Sequence, residues 1–369
     1  MITSIKKAYA YSVILCISMS GFAGYLKAEF IDPLDIAAEK HSSLLDKPLI
    51  GSAHKGDVSI VVGPTGLIMA SRDLGHTWMQ SVVPVQSDLV AVDMVSEDKG
   101  WAVGHDGVIL FTKDGGINWS KQLDGRMAAE QFTHYYRELA GKGDVEAGTA
   151  LELTELNYRD GPGLPYLDVW FRDESEGFVV GAFGNIAYTN DGGATWTPLT
   201  HRIDNDAGLH LNSITGVNGD VYIGSERGTL FKLNKENDRF EIIETGYSGS
   251  FSGVVGDEHQ VIAYGLLGTI YRSFDSGGSW ERIASITQST INDAVALSDG
   301  SGFAFANQAG ELILTDFELR KLKLYESEVS DGYTSVVDSN GEEFIATTLN
   351  GVKIVSISDR TAINTRLEE

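Results

Sequence analysis

Four aspartates, Asp73, Asp114, Asp191 and Asp275, each stand five residues before a tryptophan: Trp78, Trp119, Trp196 and Trp280. Carboxylates beside aromatic rings are what glycoside hydrolysis uses, with one carboxyl as acid and a second as nucleophile or base. A second constellation, Asp204-Asn205-Asp206-Ala207-Gly208, puts oxygen ligands at alternate positions as a calcium loop does, but lacks the later bidentate glutamate. His105, His134, His201 and His210 show none of the paired spacing of a zinc site, so the histidines read as surface or hydrogen-bonding groups. The one cysteine, Cys16, lies in an apolar N-terminal stretch, which leaves the rest of the chain without a thiol nucleophile, disulfide or thiolate ligand.

The surroundings of the four aspartates assign them to structure instead. Ser71 to Trp78 (SRDLGHTW), Thr112 to Trp119 (TKDGGINW), Thr189 to Trp196 (TNDGGATW) and Ser273 to Trp280 (SFDSGGSW) are copies of the Asp-box, with Asn118 in place of Thr or Ser in the second. In such a turn the carboxylate accepts backbone N–H groups, glycine supplies positive φ, and tryptophan covers the hairpin. That arrangement builds a β-hairpin and by itself catalyses nothing.

A glycine pair precedes each box, at Gly63 and Gly66, Gly104 and Gly107, Gly181 and Gly184, and Gly265 and Gly268. It recurs without a box at 224–228 and, weakened, at 307–310 and 348–351. The second glycines of these seven units lie 41, 77, 44, 40, 42 and 41 residues apart. A period near 40 with four short strands per unit reads as a β-propeller, because each small sheet buries its faces only against its neighbours. The chain is therefore read as all-β, a seven-bladed propeller of four-stranded blades with Asp-box hairpins and a helical insertion between blades 2 and 3.

In unit two the strands are expected at 89–95, 100–104, 108–113 and 118–122. Alternating strand direction puts the Asp-boxes on the bottom face, and the glycine-pair turns and the long insertion, 124–163, on the top. Within the insertion, 126–140 (RMAAEQFTHYYRELA) carries Met127, Phe132, Tyr135, Tyr136 and Leu139 at helical spacing, and 146–158 reads as a second helix before Gly161-Pro162-Gly163. The aromatic stripe is expected to pack on the disc, leaving His134 and Arg137 turned outward.

Lys6 and Lys7 precede an uncharged stretch, 8–26, and Leu26-Lys27-Ala28 offers a cleavage point, so 1–28 reads as a secretory signal peptide and the protein as periplasmic. The alternative is an uncleaved inner-membrane anchor. Residues 29–46 form an N-terminal extension and 47–369 the propeller; either this extension or the tail after Ser356 is expected to complete blade 7. The net charge of −24, which becomes −27 once Lys6, Lys7 and Lys27 are removed, repels nucleic acid and anionic lipid.

The units from Trp101 through Trp119 and from Gly177 through Trp196 resemble the photosystem II stability/assembly factor family of seven-bladed propellers. Asp32-Pro33-Leu34, Val83-Pro84-Val85, the stretch Pro165 to Phe171, His210-Leu211-Asn212 and Tyr264 to Gly268 are more similar to its non-photosynthetic bacterial branch, often associated with exporters of the resistance-nodulation-division class. The resemblance implies non-enzymatic work as a protein-binding assembly or accessory factor for a membrane-protein complex. Photosynthetic members are similar in using a basic patch toward their client, from which this acidic chain departs. No catalytic residue, cofactor or metal is assigned. The partner surface is expected on the top face, at His105, Asp106, Phe132, His134, Tyr136, Arg137, Phe183, Arg227, Leu266 and Leu267. The alternatives are a glycan- or small-ligand-binding propeller and a sialidase-like glycosidase. Against the last, the chain has no Arg-Ile-Pro motif; the nearest phrase is Arg282-Ile283-Ala284 after the fourth box.

Overall fold

Seven antiparallel sheets follow one another along the chain, each with its first strand innermost. The computed structural model describes residues 31–326, 331–357 and 363–366, so the assigned leader, 1–28, lies outside the described residues. Strands are lettered A to D from the channel outward. Blades 1 to 5, at 51–80, 89–123, 166–198, 211–244 and 251–283, have four strands each. Blade 6 has a fifth, because Ile363–Arg366 pairs antiparallel with its outer strand Lys321–Glu326. Blade 7, Tyr333–Asp338, Glu343–Thr348 and Gly351–Ser356, has three among the described residues. Among the described residues neither terminal segment supplies a fourth strand to blade 7, and the described tail strand, Ile363–Arg366, adds to the blade before it.

The B strands show why the sequence alternates so weakly. Val58–Val62, Gly100–Gly104, Gly177–Gly181, Val261–Gly265 and Phe303–Asn307 are buried at every residue, since both sheet faces meet a neighbouring blade. An apolar cluster fills each gap between blades. At the closure of blade 7 on blade 1 the cluster is small, Leu49, Val61, Leu67 and Met69, with Leu44, Trp78 and Val352 at its margin. Polar links supplement it there. Leu49 N–H donates to the Thr348 carbonyl (3.0 Å), the Thr334 hydroxyl donates to the Leu49 carbonyl (2.9 Å), and the Ser52 and Ser335 hydroxyls share a bond of 2.7 Å. Of the N-terminal extension, Leu44 reaches the margin of this cluster. The extension begins with buried Leu34 in the gap between blades 1 and 2 and wraps the outer edge of blade 1 on its way to blade 7.

The Asp-boxes are the C–D turns. Asp73 accepts the Thr77 N–H (2.8 Å) and hydroxyl (2.6 Å) and the Ser71 hydroxyl (2.8 Å). Asp191 does the same with Thr195 and Thr189, and Asp275 with Ser279 and Ser273. In the second box Asn118 substitutes fully, its side-chain amide donating to Asp114 at 2.8 Å and its N–H at 2.9 Å. Hydrogen bonds from Thr77 and Ser279 hold the Asp73 and Asp275 carboxyls down to about 2. The tryptophan indoles of Trp78, Trp119 and Trp280 donate back to a glycine carbonyl of their own box; Trp196 is equally buried against the hairpin but its indole N–H has no partner among the described residues. Every box carboxylate is thus engaged by its own turn.

Asp114→Ala and Asp191→Ala are each expected to lower unfolding free energy by about 1–3 kcal/mol, because turn donors lose their acceptor. Denaturant unfolding checks this; wild-type stability in either variant would mean the carboxylate does not organise its turn.

Candidate functional site

The top face is built from the glycine-pair turns, the connections between blades, and the insertion. Each pair has a steric cause. A side chain on the first glycine would drive into a carbonyl at the start of the neighbouring A strand, 2.0 Å away at Gly104 (Asp88), 2.1 Å at Gly181 (Pro165) and 2.4 Å at Gly265 (Ser250). The second glycine adopts positive φ, 64° at Gly107 and 76° at Gly184. Between them one non-glycine residue is forced into the left-handed region: Thr65, Asp106, Phe183, Arg227 and Leu267, all with φ of 55–57°. That conformation costs about 1–2 kcal/mol for an L-residue and favours Gly, Asn or Asp. Five blades thus present one equivalently placed side chain each.

What those side chains do differs. Asp106 accepts the Ser87 hydroxyl at 2.7 Å and belongs to its own loop, beside exposed His105. Arg227 is exposed. Phe183 is 53% exposed, with one ring face against His210 at 4.7 Å, and Leu267 is 72% exposed next to half-buried Leu266. Large apolar groups at strained, solvent-facing turn tips carry no packing role in the disc.

The insertion is a helical hairpin, α1 (Gly125–Gly141) and α2 (Val145–Asn157). Asp124 caps α1 through the N–H groups of Arg126 and Met127, each at 3.0 Å, and Arg126 reaches back to both Asp35 oxygens at 2.8 and 2.7 Å. Ala128, Phe132 and Tyr136, four apart, form the buried face. Phe132 sits in the apolar cluster between blades 2 and 3 with Trp101, Val103 and Tyr166. Tyr136 accepts the Thr200 N–H at 3.0 Å and stands edge-on to His201. These two residues are corrections to the expected partner surface: at 2% and 0% exposure they are core, because the helix stripe lies flat on the disc. His201 is likewise buried, not a surface histidine. His134 and Arg137 do face outward, His134 within 3.4 Å of Glu138 and Arg137 donating to Glu155 of α2 at 2.8 Å. In the suspected calcium loop Asp204 is held by Arg239, and Asn205 is tied to Leu209 through both side-chain atoms.

None of the site residues expected from the sequence lies in the central channel, a cavity of about 350 Å³ lined by the A strands. Three carboxylates line it, and each links one blade to the next. Asp93 accepts the Phe171 N–H (2.7 Å), Asp168 the Ile214 N–H (2.7 Å), and Asp293 the Val336 N–H (2.9 Å) and Ser335 hydroxyl (2.6 Å). Burial pushes Asp93 up to about 6 and Asp168 up to about 7, and it raises Asp293 as well. Among the described residues no lysine or arginine lines this cavity; the one basic group that acts on its carboxyls, Lys55 on Asp93, lies outside the lining. Their signal was positional. Asp168, Ser213, Asp293 and Ser335 all occupy the third residue of an A strand, just past a bulge.

A family model described as Photosynthesis system II assembly factor YCF48 matches residues 35–133 and 152–315. The unmatched 134–151 cover the outer part of the hairpin, including His134 and Arg137. A photosystem II assembly lipoprotein Ycf48 of Synechococcus sp. (strain CC9902) is 27% identical over 37% of this chain and 41% of its own length. The chloroplastic photosystem II stability/assembly factor HCF136 of Cyanidioschyzon merolae (strain NIES-3377 / 10D) is 27% identical over 46% and 41%. The chain therefore spans less than half the length of these curated relatives. A solved structure of YCF48 bound to a D1 peptide shares the fold with a TM-score of 0.60 at 16% identity, covering 88% of this chain and 100% of that one.

Phe132→Ala is expected to cost about 3–5 kcal/mol, as for other buried aromatics, whereas Arg137→Ala should stay within about 0.5 kcal/mol of wild type. Denaturant titration separates them; equal effects would place the hairpin differently. The channel carboxyls titrate in the opposite sense to the boxes. Their raised folded pKa favours the native state below about pH 4, and that contribution is lost as pH rises through about 6 to 7. Melting temperature measured from about pH 5 to pH 8 should fall less steeply in Asp168→Asn than in wild type; an unchanged slope would show that Asp168 stays ionised throughout.

Proposed function

The chain belongs to the photosynthesis system II assembly factor YCF48 family, and on that premise we propose that it is a non-enzymatic, exported propeller that docks through its top face on a membrane-protein complex. It acts there as an assembly or accessory factor, and its client is an exporter of the resistance-nodulation-division class. The observation that carries this reading is the pair of turn tips at Phe183 and Leu267. Each holds a large apolar side chain in water in a conformation that a small polar residue would relax, and covering such a tip with a partner recovers the lost burial.

Three further features support it. The relative solved as YCF48 bound to a D1 peptide is a propeller that holds a segment of another protein. The surplus of 52 acidic over 28 basic residues makes a different client from that of the photosynthetic relatives. The leader-like first 28 residues supply export, or an anchor in the inner membrane, and among the described residues no helix is long and apolar enough to cross a membrane. In this reading His134 and Arg137, on the outward side of the part of the hairpin outside the family match, are the hairpin's contacts to the client.

Phe183→Ser with Leu267→Ser should leave melting temperature within a few degrees of wild type and reduce recovery of the exporter from native membranes by about tenfold or more. A large fall in melting temperature with recovery unchanged would make the two residues ordinary core and remove the top-face assignment. Recovery of a different membrane complex that still depends on both residues would keep the face and replace the client.

A further inference from the structure

Three buried polar groups beneath α2 have no hydrogen-bond partner among the described residues: the Tyr158 hydroxyl, the Tyr166 hydroxyl and the Asn185 amide nitrogen. Tyr158 caps the C-terminus of α2, Tyr166 opens the A strand of blade 3, and Asn185 follows the Phe183 turn. Tyr166 is fully buried and Asn185 is 8% exposed. The Asn185 side chain lies beside both hydroxyls and acts on each as a hydrogen-bonding neighbour, yet no bond of full geometry closes among the three. Leaving such groups unpaired costs about 1–3 kcal/mol each, so the site is made to be filled.

The space in front of them has a definite form. Tyr158 and Asn185 line an inner cavity of about 20 Å³, with Phe132, Leu164 and Phe183 as apolar walls. It shares Asn157, Leu164 and Phe183 with an outer cleft of about 380 Å³ that opens between Leu156, Arg159 and the Gly161 to Gly163 lip. Side chains added at Gly161 or Gly163 would meet nothing within 4 Å, so the mouth is open. Burial raises both phenols above their ordinary range, which keeps them protonated and able to donate.

We propose that this cleft between α2 and blade 3 is a binding site for a hydrogen-bond acceptor oxygen, a carboxylate or carbonyl, carried on a short branched apolar group. The oxygen fills the inner cavity against Tyr158 and Asn185, with the Tyr166 hydroxyl beside Asn185 behind them, and the apolar body lies between Leu164 and Phe183. The cleft is a site in its own right, whatever client the top face meets. A single trapped water is the competing occupant, since the inner cavity is large enough for about one.

Isovalerate, isovaleramide and isopentylammonium share one alkyl body and differ only at the head, and titration of each against the full chain can be followed by the tyrosine-ring NMR resonances of Tyr158 and Tyr166. Isovalerate, isovaleramide or both should bind about tenfold or more tightly than the ammonium probe. The net charge of −24 works against that order, and the uncharged isovaleramide, which gains no ion pair from Arg159 at the lip, reports the phenol and amide donors themselves. The ratio of the two oxygen probes tells carboxylate from carbonyl. Tyr158→Phe should weaken the preferred probe by about tenfold. Gly163→Phe, which fills the mouth at a position without positive φ, should block it at unchanged melting temperature. Binding of the ammonium probe equal to that of the oxygen probes, or saturable binding that survives Gly163→Phe in a folded protein, would overturn the proposal. So would no shift with any probe at millimolar concentration, which assigns the three donors to a buried water.

Discussion

A blade of this propeller cannot bury both faces of its sheet by itself, and every other feature follows from that constraint. The B strands are apolar on both sides because each is sandwiched between neighbours, and the apolar clusters belong to the gaps between blades instead of to any one blade. Stability in such a chain is a sum over interfaces, so the weakest interface limits the ring. Here that is the closure of blade 7 on blade 1, where the apolar cluster between blades is smallest among the described residues and is supplemented by polar links from Leu49, Ser52, Thr334 and Ser335. The extension that wraps blade 1 brings Leu44 to this seam, beside Leu49 at the start of the propeller, which gives residues outside the repeat a structural role.

The same constraint shapes the channel. A strands crowd together at the axis, where backbone groups on the channel edge have no further strand to pair with. A bulge at the second residue of the A strand in blades 2 to 7 turns side chains toward the next blade. Asn212 and Asn292 then donate to the carbonyls of Phe251 and Tyr333, and Asp93, Asp168 and Asp293 accept N–H groups across the gap. Raised carboxyl pKa values in a cavity ordinarily invite a catalytic reading. In this channel the carboxylates are occupied as inter-blade links.

Because the disc satisfies itself, the top face is where side chains are left over. Phe183 and Leu267 are held up by turns whose glycines are dictated by close backbone approach, and the hairpin is bolted down by Phe132 and Tyr136 while its other side carries His134 and Arg137. The hairpin is also coupled to the extension, since Arg126 grips Asp35. Removing the hairpin would uncover Trp101, Val103 and Tyr166, so it is part of the blade 2–3 interface as well as an added surface.

Repeat number, strand order, the structural role of Asp73, Asp114, Asp191 and Asp275, and the side of the disc that bears the insertion were all legible in the linear chain. Each depends on local turn chemistry and on a period, and both are written in consecutive residues. The direction of the aromatic stripe of α1 was legible too, but not that Phe132 and Tyr136 are wholly covered, because burial depends on how closely a helix settles on a surface made by distant segments. The sequence likewise held no sign that the described tail strand would join blade 6, since strand pairing at an open edge is a choice between edges that only the assembled ring creates. Asp93, Asp168 and Asp293 passed unnoticed, as did the gathering of Tyr158, Tyr166 and Asn185. Residues far apart in sequence acquire a shared chemistry only when the closed ring brings their blades side by side, and that proximity is a property of the tertiary structure alone.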